Sequence, residues 1–428
     1  MMAAGRAAEL GARVLLLEKM ERPGKKVLIT GNGRCNLSNG LEMHSFIARF
    51  GPNGRFLYSV FNRFFRDDLL ALLSRYGIEC KTEPNGKIYP TTDNARDIVR
   101  AFQRYMAEGK VTTRFGVDVT GIRVEASLVS GVQTTGGYLP AQAVIIAAGG
   151  SSHPQTGSTG DGFRIAAALG HTIVGLRPGL VPLVVTDVAK AKAMQGASLR
   201  NARVTAFQCP AVDIDASLVP GVDAGRGIGG KRPKWPVIES RTGDAIITHF
   251  GLSGPVILEL SLAIVDALGN GPVSVSIDLM PDKSPNELRK ELQETFDRHS
   301  KRTCQHIIKD FLPHKLVEPF VAMTGVPPDK PGNQITFEER ESLLSLLKSL
   351  RFDIKGAYSM STAMVTAGGV SLKEINPGTM DSKLVGGLYF CGEVLDLDAG
   401  TGGFNLQAAF STGYVAGESA ASYVLTRH

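Results

Sequence analysis

The chain has 428 residues, 43% of them hydrophobic and 21% charged, with a net charge of +6. That length calls for two or three domains, and the composition is that of a folded globular protein, which excludes disordered, collagen-like and fibrous classes. The longest apolar stretches, 141–150 and 256–268, are too short or carry Glu259 and Asp266, so neither spans a bilayer, and no basic stretch before an apolar core marks a signal peptide.

Residues 1–10 form an Ala-rich helix pattern that Gly11 stops. Residues 12–17 then read as a short buried strand, because Val14 to Leu17 make the continuous apolar run of a parallel strand covered on both faces. Glu18 ends it. Helix, tight turn, buried strand and terminal acid form the second half of a dinucleotide-binding βαβ unit. In such a unit the acid hydrogen-bonds ribose hydroxyls about 20 residues after a glycine-rich phosphate loop. Counting back from Glu18 puts that loop upstream of Met1, so the first strand and loop of the fold are expected to be missing from this chain. The plain alternative for Glu18, a surface acid at a strand end, is weaker given the pattern before it.

A Gly/Lys/Asn-rich loop follows at 23–40, then helical patterns at 53–76 and 94–108, short strands to 136, and a buried strand at 143–148 running into Gly149 and Gly150. From about 180 the βα rhythm stops. Residues 181–186, 203–209 and 244–248 read as strands, and 216–236, rich in Gly, Pro and basic residues, reads as a loop. Residues 284–350 are helical and charged, broken at Pro313 and 327–331. The end of the chain returns to Gly-rich loops, a strand at 387–391 and a helix from Asn405. The plan is α/β: a Rossmann-like first part (1–180), an inserted β-rich, barrel-like domain (181–280), a helical subdomain (281–351), and a return at 352–428.

Four motifs carry the chemistry. Glu18 is the first. The second is Gly24-Lys25-Lys26-Val27-Leu28-Ile29-Thr30-Gly31-Asn32-Gly33-Arg34-Cys35-Asn36, where glycines let backbone N–H groups approach a ligand and cations offset phosphate. Third is Ala147-Ala148-Gly149-Gly150, which lets the chain pass close to a bound dinucleotide. The fourth is Gly392-Glu393 after the last strand, leading into Gly402-Gly403-Phe404-Asn405-Leu406-Gln407 and a helix. A helix N-terminus offers free N–H groups and positive dipole, suited to a reduced flavin's negative edge. Taken singly, each is also readable as a basic turn, a strand end or a capped helix.

These residues resemble the HI0933-like (BaiN/YhiN-type) family of NAD(P)/FAD-dependent flavoproteins over nearly the whole length. The most specific pieces are 29–39, 157–162, 248–255, 365–370 and 387–407. The resemblance implies FAD bound by the first and last segments. Glu18 would meet the adenosine ribose, and Lys26, Thr30, Gly31, Arg34, Cys35 and Asn36 would line the cofactor. Val119 would contact adenine through its backbone, and Ala148, Gly149, Gly392, Glu393, Gly403, Asn405 and Leu406 complete the set. Asn32 stands where the family has Gly, which strains the loop only if φ is positive there.

The resemblance also implies an oxidoreductase that takes hydride from NAD(P)H to reduce a conjugated C=C acceptor, a steroid-like enone or, alternatively, a uridine of ribosomal RNA. Two further alternatives stand: a non-catalytic RNA-binding scaffold, and an inactive form that begins too late. No catalytic residue announces itself. His249 in a Gly-rich loop and Cys35 are candidate proton donors, each also readable as structural. Asp161 reads as a helix cap for Phe163. Arg226, Lys231, Arg232 and Lys234 around Trp235 are a candidate RNA contact, with a solvated loop the plainer reading. Cys35, Cys80, Cys209, Cys304 and Cys391 form no Cys-x-x-Cys pair, which signals no zinc site and fits reduced thiols in a cytoplasm.

Overall fold

A computed structural model of the chain describes residues 1–214 and 237–426. The chain divides into two units, Met1–Pro178 with Met360–His428, and Gly179–Ser359.

The first unit is α/β. Its parallel strands come in two pairs that form separate sheets. Leu15–Glu18 runs beside Thr112–Phe115 with Glu18 opposite Phe115, and Val144–Ile146 runs beside Leu388–Phe390. The buried strand expected at 143–148 is therefore paired with one more than 240 residues later, which is how the two ends of the sequence enter one domain. A three-stranded antiparallel meander (Val119–Glu125, Leu128–Thr134, Gly137–Pro140) and a small sheet of Ser38–Asn39, Lys87–Pro90 and Cys80–Thr82 flank these pairs in sequence.

Helices hold the unit together. Ala95–Glu108 starts where Asn94 accepts a hydrogen bond from the Arg96 N–H. It buries Ala95, Ile98, Val99, Phe102, Tyr105 and Met106, a stripe at helical spacing. The helix Met2–Glu9 packs on the final helix, Phe404–Leu425, close enough that a Cβ at Gly417 would overlap the Ala3 carbonyl oxygen. An ion pair closes the same contact, Arg6 Nη2 to Glu418 Oε1 at 2.7 Å. Phe404, first residue of its helix, meets Phe46 edge-on at 4.7 Å in an aromatic core with Phe61 and Phe65. That contact fixes where the helix begins.

The second unit is a closed six-stranded barrel in the order Leu183–Val185, Gly251–Ser253, Val237–Ile247, Ser198–Phe207, Val273–Asp278, Leu350–Ala357. Every pairing described is antiparallel. The apolar stretch 256–268 is a helix, Pro255–Leu268, whose buried Val256, Ile257, Leu260 and Ile264 face the barrel core. Residues 281–351, expected as a subdomain, form Pro285–Arg298, Cys304–Ile308, His314–Thr324 and Phe337–Lys348. Their Leu288, Phe296, Leu343 and Leu347 share one hydrophobic cluster with the barrel's Val275, Ile277 and Leu350. The helices and the barrel thus share one apolar cluster. No described helix is long and apolar enough to cross a membrane.

Candidate dinucleotide site

The first unit brings three of the four motifs to one place. Lys26 lies in the short helix Lys25–Ile29, and Glu393 in the turn that follows the strand Leu388–Phe390. Lys26 Nζ is 2.5 Å from Glu393 Oε2 and 2.9 Å from Ser152 Oγ. Glu393 Oε1 also accepts from the Thr366 N–H at 2.8 Å, while Thr366 Oγ1 accepts from the Ser151 N–H at 2.8 Å. Gly149, with φ of 73°, and Gly150 run past this cluster, and a Cβ on Gly150 would overlap Thr366 Oγ1. An acid, a cation, hydroxyls and bare backbone thus converge within one half-buried region.

The loop from Thr30 to Asn39 is stitched to the start of the final helix. Gly403 adopts φ of 90° and lies flat on Ser38, where any Cβ would overlap the Ser38 carbonyl oxygen. Asn36, with its amide oriented to satisfy its neighbours, donates to Ser38 O and Ile88 O at 3.1 and 3.2 Å and accepts from the Gly403 N–H at 3.0 Å. Asn39 Nδ2 donates to Gly402 O at 3.1 Å. Asn405 holds the Ala399 backbone from both sides, accepting from its N–H at 2.9 Å and donating to its carbonyl at 2.7 Å. Leu406 packs against the cluster that holds Cys35, Leu37 and Phe102. Gly392 is fixed by Thr412 Oγ1, which accepts from its N–H at 3.0 Å. Beside the Gly403 seat, Ser38 Oγ and Gln407 Oε1 are buried without a hydrogen-bond partner, a condition that native interiors rarely tolerate.

Other expected residues have different surroundings. Glu18 Oε1 accepts from the Met20 N–H at 2.9 Å, and its carbonyl accepts from the Val117 N–H at 3.2 Å, so the segment leading to Val119 passes beside it. Val119 itself pairs with Thr134. Ala148 faces the helix Asp161–Ala168, where it would crowd a Cβ on Gly162. Thr30 Oγ1 caps its own turn by donating to Val27 O at 2.7 Å, and Gly31 and Asn32 are both left-handed at φ of 57° and 56°. The loop is therefore strained at Asn32, the residue type that bears this best after Gly. Arg34 is engaged by protein carboxylates. Its Nη1 is 2.7 Å from Glu83 Oε1, and its guanidinium lies 3.9 Å over the Tyr89 ring. Cys35 is fully buried, and that burial pushes its thiol up to about 12, which keeps it protonated. His249 belongs to the second unit, exposed at a turn. Arg226, Lys231, Arg232, Lys234 and Trp235 lie outside the described residues.

Asp161 is not the cap of its helix. Gly160 occupies that position with no side-chain bond, and Asp161 is the first helical residue. Its carboxylate meets Lys19 Nζ at 2.6 Å and accepts from Thr159 Oγ1 at 2.7 Å. Sequence reasoning passed over Ser152, His153 and Thr366, although polar residues straight after a buried strand's Gly-Gly are a readable signal. The His153 imidazole is held below its ordinary value by burial and then by the charge of Lys26, with Glu393 opposing. Its backbone sits at φ of 53°. No group of three or more metal-ligating side chains occurs among the described residues.

The sequence matches the HI0933-like protein Rossmann domain over residues 1–419, and the chain belongs to that family. A relative from Clostridium scindens, 3-dehydro-bile acid delta(4,6)-reductase, is 32% identical over 96% of this chain and 93% of its own length. Ribosomal RNA dihydrouridine synthase of Escherichia coli is 29% identical, covering 95% of this chain and 92% of its own. The protein of the same description from Haemophilus influenzae is also 29% identical, over 96% and 93%.

Proposed function

We propose that this chain is an FAD-dependent oxidoreductase that reduces a C=C bond conjugated to a carbonyl, with NAD(P)H as the hydride source. The observation that carries the reading is the convergence of Lys26, Glu393 and Gly149–Gly150 from distant parts of the sequence, in the same unit as a helix N-terminus seated on Ser38. The residues fit the group. Gly150 and Gly403 leave the backbone bare where a Cβ would collide, and Ser38 Oγ and Gln407 Oε1 are buried polar atoms in need of a partner. The Clostridium relative's description, a bile-acid reductase, supports the acceptor class.

When bound, FAD supplies hydride transfer. In this reading Glu18 accepts hydrogen bonds from ribose hydroxyls and Glu393 from the ribityl chain. Lys26 neutralises Glu393, so the acid binds hydroxyls without repelling the cofactor's phosphates. The N-terminus of Phe404–Leu425 favours negative charge near it. Thr366 and Ser152 orient the Glu393 carboxylate, the Thr366 N–H and the Ser152 hydroxyl both donating to Oε1, at 2.8 and 3.4 Å.

The experiment is direct. The 428-residue protein incubated with FAD should keep yellow flavin absorbance through gel filtration. NADPH or NADH without oxygen should bleach it, and a steroid 4-en-3-one should restore it. Protein that never retains flavin sinks the reading. The two relatives described as ribosomal RNA dihydrouridine synthases motivate a second acceptor, and reoxidation by unmodified ribosomal RNA but not by the steroid would favour it.

A further inference from the structure

In the first unit, His153 is held in a backbone conformation that its own sequence argues against. It sits at φ of 53° and ψ of 60°, the left-handed region that is uncommon for a residue with a side chain. It also precedes Pro154, which steers the residue before it toward extended backbone. Glycine would take this conformation without a Cβ to crowd it. Local bonds impose it on a histidine instead. The His153 N–H donates to Ser361 O at 3.2 Å, and its carbonyl accepts from the Thr156 N–H at 2.8 Å and from Thr156 Oγ1 at 2.7 Å. Strain that the surroundings over-determine in this way clusters at ligand sites.

The place fits a ligand. His153 directly follows the buried Ser152, whose hydroxyl lies 2.9 Å from Lys26 Nζ. The ring is half-buried, and close enough to Lys26 and Glu393 for both charges to act on it. The Gln155 side-chain amide donates to ring Nδ1 at 3.1 Å. A neutral imidazole that accepts at Nδ1 carries its proton at Nε2. Burial and then the charge of Lys26 favour the neutral form, with Glu393 opposing. The ring therefore offers a single N–H, at Nε2, and no acceptor among the described residues pairs with it.

We infer that His153 donates its Nε2–H to the pyrimidine edge of bound FAD and so favours the reduced ring over the oxidised one. The inference rests on the proposed function for its cofactor, and adds to it a residue that tunes the flavin. Reduction places negative charge at that edge, and a hydrogen bond to a charged acceptor is about twice as strong as one to a neutral acceptor. A phosphate would instead draw the imidazole into its charged form, which Lys26 opposes. The carbonyl edge of the ring suits a neutral donor.

The reduction potential of the bound flavin reads this apart from turnover. It is measured by slow reduction beside a reference dye, on the 428-residue protein with FAD added and on two variants. His153→Gly should lower the two-electron potential by about 30 mV, a tenfold loss of preference for the reduced ring. His153→Asn keeps an N–H donor in a residue that tolerates left-handed backbone, and should recover part of that shift. Without FAD, the thermal midpoint of His153→Gly should be no lower than that of the parent, because the strain leaves with the histidine. Flavin that stays bound to His153→Gly at an unmoved potential overturns the inference and keeps the flavoprotein. Weaker FAD binding at an unmoved potential would put the N–H on another part of the cofactor, and overturns it as well. A parent protein that retains no flavin overturns the inference together with the proposed function.

Discussion

The two units solve the problem of chain closure in opposite ways. The barrel unit is one continuous stretch, Gly179–Ser359, in which each of six strands has two neighbours and a single apolar cluster joins barrel and helices. The first unit is assembled from both ends of the sequence. Its parallel strands stand in two separate pairs, and many of its fastenings are polar: Lys26 to Glu393 across 367 positions, Asn39 to Gly402 across 363, Arg6 to Glu418 across 412. Closing such long spans costs entropy that hydrogen bonds alone repay poorly. The barrel should therefore stand on its own packing, and the first unit should depend on what binds to it.

The sharpest way to break this contrast is inside the barrel unit. Lys348 and Asp278 are 4% and 1% exposed, paired at 2.7 Å, and Lys348 Nζ also donates to Met280 O and Lys283 O at 3.0 and 2.8 Å. Lys348→Met strands a buried carboxylate and two carbonyls and should cost about 3–5 kcal/mol. Hydrogen exchange read peptide by peptide should show that loss in 179–359 and little in 1–178. Equal losses in both would mean that the two unfold as one, and the contrast would fail.

Next in size is the ligand. FAD at a hundred times its dissociation constant should stabilise by about 2.7 kcal/mol. The added protection should appear in peptides covering Lys25–Ile29, Gly149, Glu393 and the start of Phe404–Leu425. Protection gained mainly in the barrel would place the cofactor elsewhere and undo the site.

How much of this was legible beforehand follows the same division. Local signals read well. The helix stop at Gly11, the helix over 94–108 and the break at Pro313 all lie where local chemistry puts them. The first unit's motifs stood out because glycines and acids recur together at strand ends, and the fold brings three of the four to one place. Their neighbours were not: that Arg34 answers to Glu83 and Tyr89, or that Asn36 spans Ser38, Ile88 and Gly403, depends on folding contacts with no local period. Asp161 misled because an acid before a helix usually caps it, whereas Gly160 takes the cap with φ of 82° and Lys19 takes the acid. In the barrel, strand boundaries were missed because they follow from register. Ser198–Phe207 pairs with Val237–Ile247 across a bulge at Asn201, and no alternation survives it.

A smaller effect tests whether the polar fastenings act as pairs. Lys26 and Glu393 are 25% and 19% exposed, so each is shielded enough for the pair to matter. Lys26→Met, Glu393→Gln and the double variant should show a coupling of about 1–2 kcal/mol in the stability of the first unit. In FAD affinity, Glu393→Gln should cost more than Lys26→Met, since the acid is assigned to the hydroxyls. Additive effects would reduce the pair to chance proximity.

The smallest effect is a difference in acid response, and it follows from the balance of lowered and raised carboxyls in each unit. In the first unit, burial would raise Glu418, but hydrogen bonds from Arg6 and Arg63 hold it below its ordinary value. Asp161 is likewise held low against burial by Lys19 and Thr159. A folded-state value below the unfolded one contributes stability that is present above the unfolded value and lost as pH falls through the folded one. With unfolded carboxyls near about 4, that loss begins near pH 5 and deepens below 4. In the barrel unit Glu339 and Glu341 act in the same direction, but burial of Asp278 outweighs Lys348 and leaves it raised. Its contribution has the opposite sign, full at low pH and lost as pH rises through the folded value, so it offsets part of the acid loss, as Asp396, raised by burial, does in the first unit. The first unit holds more lowered carboxyls, Glu9, Asp93, Glu108 and Glu374 among them, so hydrogen exchange between pH 6 and 4, corrected for intrinsic rates, should show it weakening ahead of the barrel. Glu418→Gln, which costs on the order of 1 kcal/mol at neutral pH, should narrow that gap because it removes a carboxylate that acid no longer has to protonate. A gap that stays unchanged would move the acid sensitivity away from the Arg6–Glu418 contact and onto the remaining carboxylates of the first unit.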